Sequence, residues 1–132
     1  MSERTPTLAA DGYAIEVEHV KKRYGDRTVV DDLGFRVPPG RVTGFLGPNG
    51  SGKSTTMKIM LDLAAADDGQ VRIGDRRYRD LPDPARTVGA FIESDAFHPG
   101  RTGRNHLRIL ADATGIGHRR VDEVLDEVGL AD

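Results

Sequence analysis

"GPNGSGKST" occupies residues 47–55, directly after the apolar run Val42-Thr43-Gly44-Phe45-Leu46. Gly47, Gly50 and Gly52, with Pro48 between them, leave little side chain to pack. The stretch is built to hold something rather than to fill a core. Gly47, Gly52, Lys53 and Ser54 fit G-x-x-x-x-G-K-[ST], and each position has a physical task. Glycines let the backbone curl so that several N–H groups converge on one anion. A helix beginning at Ser54 adds its positive dipole end and its free N–H groups. Lys53 brings a mobile cation to the β- and γ-phosphates, and the Ser54 hydroxyl suits Mg²⁺. The context agrees, because an apolar strand leads in and an amphipathic helix leads out. The reading is a nucleoside triphosphate site taking ATP and Mg²⁺.

Working outward, Ile15, Val17 and, less cleanly, Val20 alternate over 14–20 as in a half-buried strand. "KKRYGDR" breaks it with a turn at Gly25-Asp26. Leu33, Phe35 and Val37 form a second strand, which "PPG" at 38–40 ends. Val42 to Leu46 reads as a third, short strand. "STTMKIMLDLA" then places Met57, Met60, Leu61 and Ala64 on one helical face. After the turn "DDG" at 67–69, Val71 and Ile73 mark another strand, and "TVGAFI" at 87–92 reads as an apolar strand. From about residue 102 the period becomes helical. "RTGRNHLRILADATG" and "HRRVDEVLDEVG" are each closed by a glycine, Gly115 and Gly129. In the second, Val121, Val124, Leu125 and Val128 share a face. The arginines that open it run against the helix dipole.

Size and composition narrow the function classes. The chain has 132 residues, enough for one domain with a core. Its net charge is −2, so no global field draws it to nucleic acid or anionic lipid. No cysteine occurs, which excludes disulfides and thiolate chemistry. No apolar run approaches the roughly 18 residues of a membrane helix, so any link to a membrane comes through a partner. "MSERTPTLAADG" has no apolar signal core and reads as a loose leader over 1–12. His19, His98, His106 and His118 show neither metal spacing nor a triad pattern, which leaves them surface or helix-face roles.

"GFLGPNGSGKSTTMKIMLDLAAADDGQVRIGD" closely resembles the ATP-binding subunits of ABC transporters, and "IEVEHVKKRYGDRTVVDDLGFRVPPGRVTGFLG" resembles the family's first strands. "VGAFIESDAFHPGRTGRNHLRILADATGI" looks like the branch associated with bacitracin and lantibiotic self-protection and drug export. The resemblance spans 13–132. It implies an α/β fold: a P-loop NTPase core with an ABC-type antiparallel β-subdomain over 13–100, and the start of a helical subdomain over 101–132, truncated.

The resemblance also implies a site. Tyr24 stacks on adenine, where the sequence alone also allows an ordinary half-exposed turn residue. Gly47, Pro48, Asn49, Gly50, Ser51, Gly52, Lys53, Ser54 and Thr55 hold the phosphates, and Ser54 ligates Mg²⁺. Glu93 stands where the family places glutamine; it either touches Mg²⁺ or is a solvated loop acid. The implied partners are a membrane permease and a second ATP-binding subunit, joined head to tail, with no nucleic acid. The implied location is the cytoplasmic face of the membrane, held there by the permease.

A signature loop like LSGGQ, a Walker B strand ending in Asp-Glu and a switch histidine are not found within these residues. No catalytic residue is therefore assigned, and the chain is expected to bind ATP while hydrolysing it poorly. The rival expectation is a stand-alone nucleotide-binding or regulatory module.

Overall fold

Gly25 adopts a left-handed φ of 58°, and the chain reverses across Gly25-Asp26 so that Tyr24 faces Arg27. This turn joins β1 (Ile15–Tyr24) to β2 (Arg27–Val37). The computed structural model describes residues 12–47, 50–92 and 97–132. β3 (Asp68–Ile73) pairs with the other edge of β1, giving an antiparallel sheet of order β2-β1-β3. Between β2 and β3 lies α1 (Lys53–Met60). A 3₁₀ turn at Tyr78–Asp80 and the short α2 (Pro84–Thr87) follow β3.

The core of this first unit, Met1–Val88, is Val17, Val20, Val30, Val71 and Ile59 of α1, with Phe35, Leu33 and Met60 packed around them. Val17 and Val20 are both buried although they are three residues apart, which a regular strand of period two forbids. A bulge resolves this. The register shifts between them, His19 takes φ 50°, and on β2 Asp32 also takes φ 50°. His19 Nδ1 lies 2.9 Å from Asp32 Oδ1 across the distortion. This is why Val20 fits the sequence alternation poorly.

The opposite face carries charge. Glu16 is 2% exposed, and in register it lies between Arg36 and Arg72. Arg36 Nε donates to Glu16 Oε1 at 3.1 Å, and Arg72 Nη2 donates to Oε2 at 3.0 Å. A buried carboxylate is tolerated only when so paired. Beside it, the Gln70 amide donates to Glu18 at 2.7 Å and, with Arg72 nearby, holds that carboxyl below the usual carboxylate range. One salt-bridged row thus crosses all three strands.

Two expected strands are absent. Residues 42–46 and 87–92 lie outside the sheet. Val42 and Leu46 are about fully exposed, at 103% and 92%, and Phe91 is 72% exposed. An apolar run becomes a strand only when it is brought alongside a partner with free ladder groups, and neither run pairs with β1, β2 or β3. Phe45 is held instead by a side-chain contact, its ring centroid 5.2 Å from that of Phe35. In α1 the regular helix stops at Met60, with Thr56 and Ile59 buried; Met60 and Ala64 do pack on the core as the pattern implied.

The second unit, Gly89–Asp132, is organised by α3 (Gly103–Thr114) and α4 (Arg119–Glu127). Segment 97–101 is tied to α3 by the Phe97 ring, 5.2 Å from that of His106, and turns on itself where the Arg101 amide donates to the His98 carbonyl. Thr102 caps α3 by accepting the Asn105 N–H, and Gly115 ends it at φ 70°. Ala111 meets Val121 and Leu125 in a small core with Leu107 and Ile116, whereas Val128 of the predicted stripe is exposed. The arginines opening α4 find local anions: Arg119 pairs with Glu123, and Arg120 with Glu123 and Glu127.

Candidate nucleotide-binding site

The phosphate loop is pressed against the backbone of β2. Gly52, at φ 90° and ψ 9°, is the residue before α1. A Cβ there would stand 2.5 Å from the Val29 carbonyl oxygen and 3.2 Å from Val30 Cγ2. Both the left-handed backbone and the lack of room demand glycine. Gly47 is similarly confined, because its Cβ would meet Ser51 Oγ at 2.6 Å. At Gly52 glycine is therefore a steric requirement of the fold, whereas at Gly47 the crowding atom belongs to the rotatable Ser51 side chain.

α1 opens with no side-chain cap and no acidic residue in its first turn. Its positive end is thus left uncompensated at the loop, the arrangement that attracts an anion. Thr56, 1% exposed, fixes the junction: its hydroxyl donates to the Gly52 carbonyl at 2.8 Å, beside the helical N–H bond to the same oxygen at 2.9 Å. Lys53 reaches back over the loop and its Nζ donates to the Gly47 carbonyl. Among the described residues no carboxylate pairs with it. Ser54 is exposed and Thr55 half-buried at the helix start. A cavity of about 370 Å³ lies beside the loop, lined among others by Val30, Asp31, Phe45, Ser51 and Lys53.

Tyr24 stands at the end of the hairpin, 53% exposed, with the Lys22 ammonium 5.1 Å from its ring centroid. The hairpin end is close to the loop. Arg27, the register partner of Tyr24, places Nη2 3.9 Å from where a Cβ on Gly50 would sit. The structure therefore gathers Gly47, Gly50, Ser51, Gly52, Lys53, Ser54 and Thr55 on one loop and brings the Arg27 side chain to its side, with Tyr24 across the same hairpin end. Pro48, Asn49 and Glu93 lie outside the described residues.

Sequence reasoning missed two residues. Thr56 falls just beyond the motif, and its signal was only a second threonine following Thr55. Arg27 was legible from a two-residue turn at Gly25-Asp26, which necessarily opposes the residues on either side of it. The histidines have local partners: His19 with Asp32, His98 with the Gly100 N–H, His106 with Phe97 and His118 with Asp112. Among the described residues no cluster of three acidic, histidine or cysteine side chains offers a metal site. No helix among them is long and apolar enough to cross a membrane.

Comparison with known proteins places these features in context. The ABC transporter family model matches residues 30–132. The chain is 41% identical over 120 residues to the bacitracin transport ATP-binding protein BcrA of Enterococcus faecalis, covering 89% of this chain and 39% of the relative. It is 30% identical to the lantibiotic transport ATP-binding protein SrtF of Streptococcus pyogenes, covering 88% of this chain and 50% of the relative. A Nod factor export ATP-binding protein I from Paraburkholderia xenovorans is 41% identical over 104 residues, 78% of this chain and 34% of the relative. A solved structure of the ATP-binding subunit of an ABC transporter superposes with a TM-score of 0.70 at 31% identity, covering 89% of this chain and 51% of that one. The chain thus spans about half or less of the length of these proteins.

Proposed function

The chain belongs to the ABC transporter family, and on that premise we propose that it binds Mg·ATP as the N-terminal part of an ATP-binding subunit serving an exporter. The observation that carries this reading is the loop at Gly52. Its left-handed turn against β2 leaves the N–H groups of α1 and the Lys53 ammonium at one place, with no acid of the helix start to neutralise them. Such a site takes a phosphate chain. The ATP-binding relatives named above supply the nucleotide. Two of them are named for peptide antibiotics, bacitracin and a lantibiotic, which points to export of a drug or peptide antibiotic.

Mg²⁺ fits the residues present in a limited way. The exposed Ser54 hydroxyl offers one oxygen at the helix start, and no described carboxylate cluster competes for a resident ion. A cation of this kind keeps several waters and is held through substrate phosphates. Bound, it would neutralise phosphate charge; the chain's own part is to orient that complex through Ser54. Glu93 is proposed as a further Mg²⁺ contact in place of the family's glutamine. In the complete subunit a second copy would join head to tail, and a membrane permease would hold the pair at the cytoplasmic face.

Turnover requires more than binding. No Asp-Glu strand end of the Walker B kind, signature loop or switch histidine occurs in these residues, so nothing here is assigned to orient the attacking water. Positioning is most of the catalysis in phosphoryl transfer. This favours, for the 132-residue chain by itself, the reading of a nucleotide-binding module without hydrolysis. Phosphate release by the chain should not exceed that of its Lys53→Ala variant. Release well above that control would show that a catalytic acid has been overlooked, and 87–93 would be its first candidate.

Tyr24 serves as the base platform in this reading. Tyr24→Ala should weaken ATP by about 1–3 kcal/mol, while Tyr24→Phe should be nearly silent, because the ring face makes the contact. Titration of both variants separates the causes: a Phe variant as weak as Ala would assign the effect to the hydroxyl.

A further inference from the structure

We propose that Arg27 is a second phosphate-binding cation of this site, reaching the loop from the hairpin rather than from the motif. The inference rests on the nucleotide reading above and adds a residue to it. Three observations carry it.

The first is position. Arg27 closes the turn opposite Tyr24, and cross-strand partners project from the same face of the sheet. Its Nη2 lies 3.9 Å from the Cβ position on Gly50, a residue with φ 81°. A guanidinium is therefore delivered to the rim of the phosphate loop by an element that precedes the loop by some twenty residues.

The second is the absence of any local reason for the charge to be there. Arg27 is exposed, and its side chain makes no hydrogen bond or ion pair among the described residues. Arg23 on the same hairpin likewise has no side-chain partner among the described residues, but other cations of this unit are paired. Lys22 lies 3.9 Å from an Asp67 carboxylate oxygen and over the Tyr24 ring, Arg36 and Arg72 grip Glu16, and Arg79 forks onto Asp62. Arg27 is brought instead beside a loop that is already positive through Lys53 and the start of α1. Like charges gathered at one place repel, and an anion relieves that repulsion.

The third is chemistry. Five N–H donors in a planar fork match two oxygens of a phosphate, which is what Lys53 as a point donor cannot do. With Tyr24 on the base and Lys53 at the far phosphates, a guanidinium from the hairpin reaches the stretch of phosphate chain between them.

The test uses the 132-residue chain with Arg27→Gln, Arg27→Lys and Lys53→Ala, titrated with Mg·ATP and with adenosine. Arg27→Gln should lose about tenfold in affinity for Mg·ATP, the size expected for a partly solvated charge-assisted contact. It should leave adenosine unchanged and flatten the dependence of ATP affinity on salt. Arg27→Lys should recover part of the loss. Melting of the empty variants should match the parent, since the side chain holds nothing in the fold. Unchanged ATP affinity in Arg27→Gln, with binding abolished in Lys53→Ala, would overturn the role of Arg27 and leave the site standing. Equal losses for ATP and adenosine would place the contact at the base and overturn the phosphate assignment. Insensitivity of ATP binding to Lys53→Ala as well would bring down the nucleotide site, and this proposal with it.

Discussion

Lys53→Ala is expected to reduce ATP affinity by about a hundredfold or more. The side chain is the loop's only cation, and among the described residues its charge is not compensated by any carboxylate. Contacts between an ammonium and phosphate oxygens are charge-assisted, worth about 1.5–3 kcal/mol each, and a mobile lysine serves more than one oxygen. The variant also loses the bond to the Gly47 carbonyl. Melting the empty protein separates the two losses: the loop contact is local, so Tm should change little while nucleotide binding collapses. A fluorescent ATP analogue gives the affinities directly. Equal binding by both proteins would remove the phosphate loop from the site.

Gly69→Ala should be the most damaging small substitution to stability. Gly69 lies at the start of β3 with φ 79°, and an added Cβ would stand 2.3 Å from both the Glu18 and His19 carbonyl oxygens. Those atoms are backbone of the central strand, so no side chain can swing aside. The left-handed conformation costs alanine about 1–2 kcal/mol, and relieving the overlap sacrifices ladder hydrogen bonds at about 1 kcal/mol each. A total near 3 kcal/mol lowers Tm by about 10 °C or more for a unit of this size. Gly44→Ala, with nothing within 4 Å of its Cβ and no positive φ, is the matched control and should melt like the parent. Faster amide exchange at Val71 and Arg72 in Gly69→Ala would identify β3 as the strand that lets go. A melt indistinguishable from the control would mean that the bulge can rearrange freely.

Much of this was legible in the residues. The loop motif, the Gly25-Asp26 turn, the alternation of Leu33, Phe35 and Val37 and the glycine end of α3 are all local codes, and each reports its own backbone. The sheet bulge was not legible, because it depends on His19 and Asp32 distorting together from different strands. Nor was the burial of Glu16, which in sequence is one acid in an alternating run. Only the arrival of Arg36 and Arg72 from two other strands makes its position tolerable. The runs 42–46 and 87–92 failed for a related reason. Apolar composition records a tendency to pair, while pairing itself depends on another strand being brought alongside.

The same non-local contacts set the order in which the site can be assembled. β1 and β2 are joined by two residues, so their hairpin closes at small entropic cost. β3 reaches β1 only after the whole excursion through 38–67 has been closed, and the Glu16–Arg72 pair spans 56 positions of sequence. The phosphate loop lies inside that excursion. Gly52 touches β2, which is formed early, whereas Ile59 of α1 needs Val71 beside it to complete the core. Contacts of long sequence separation form late and slow the reaction. The expected order is therefore hairpin first and third strand later, with the core behind the anion-binding turn completed only when β3 docks.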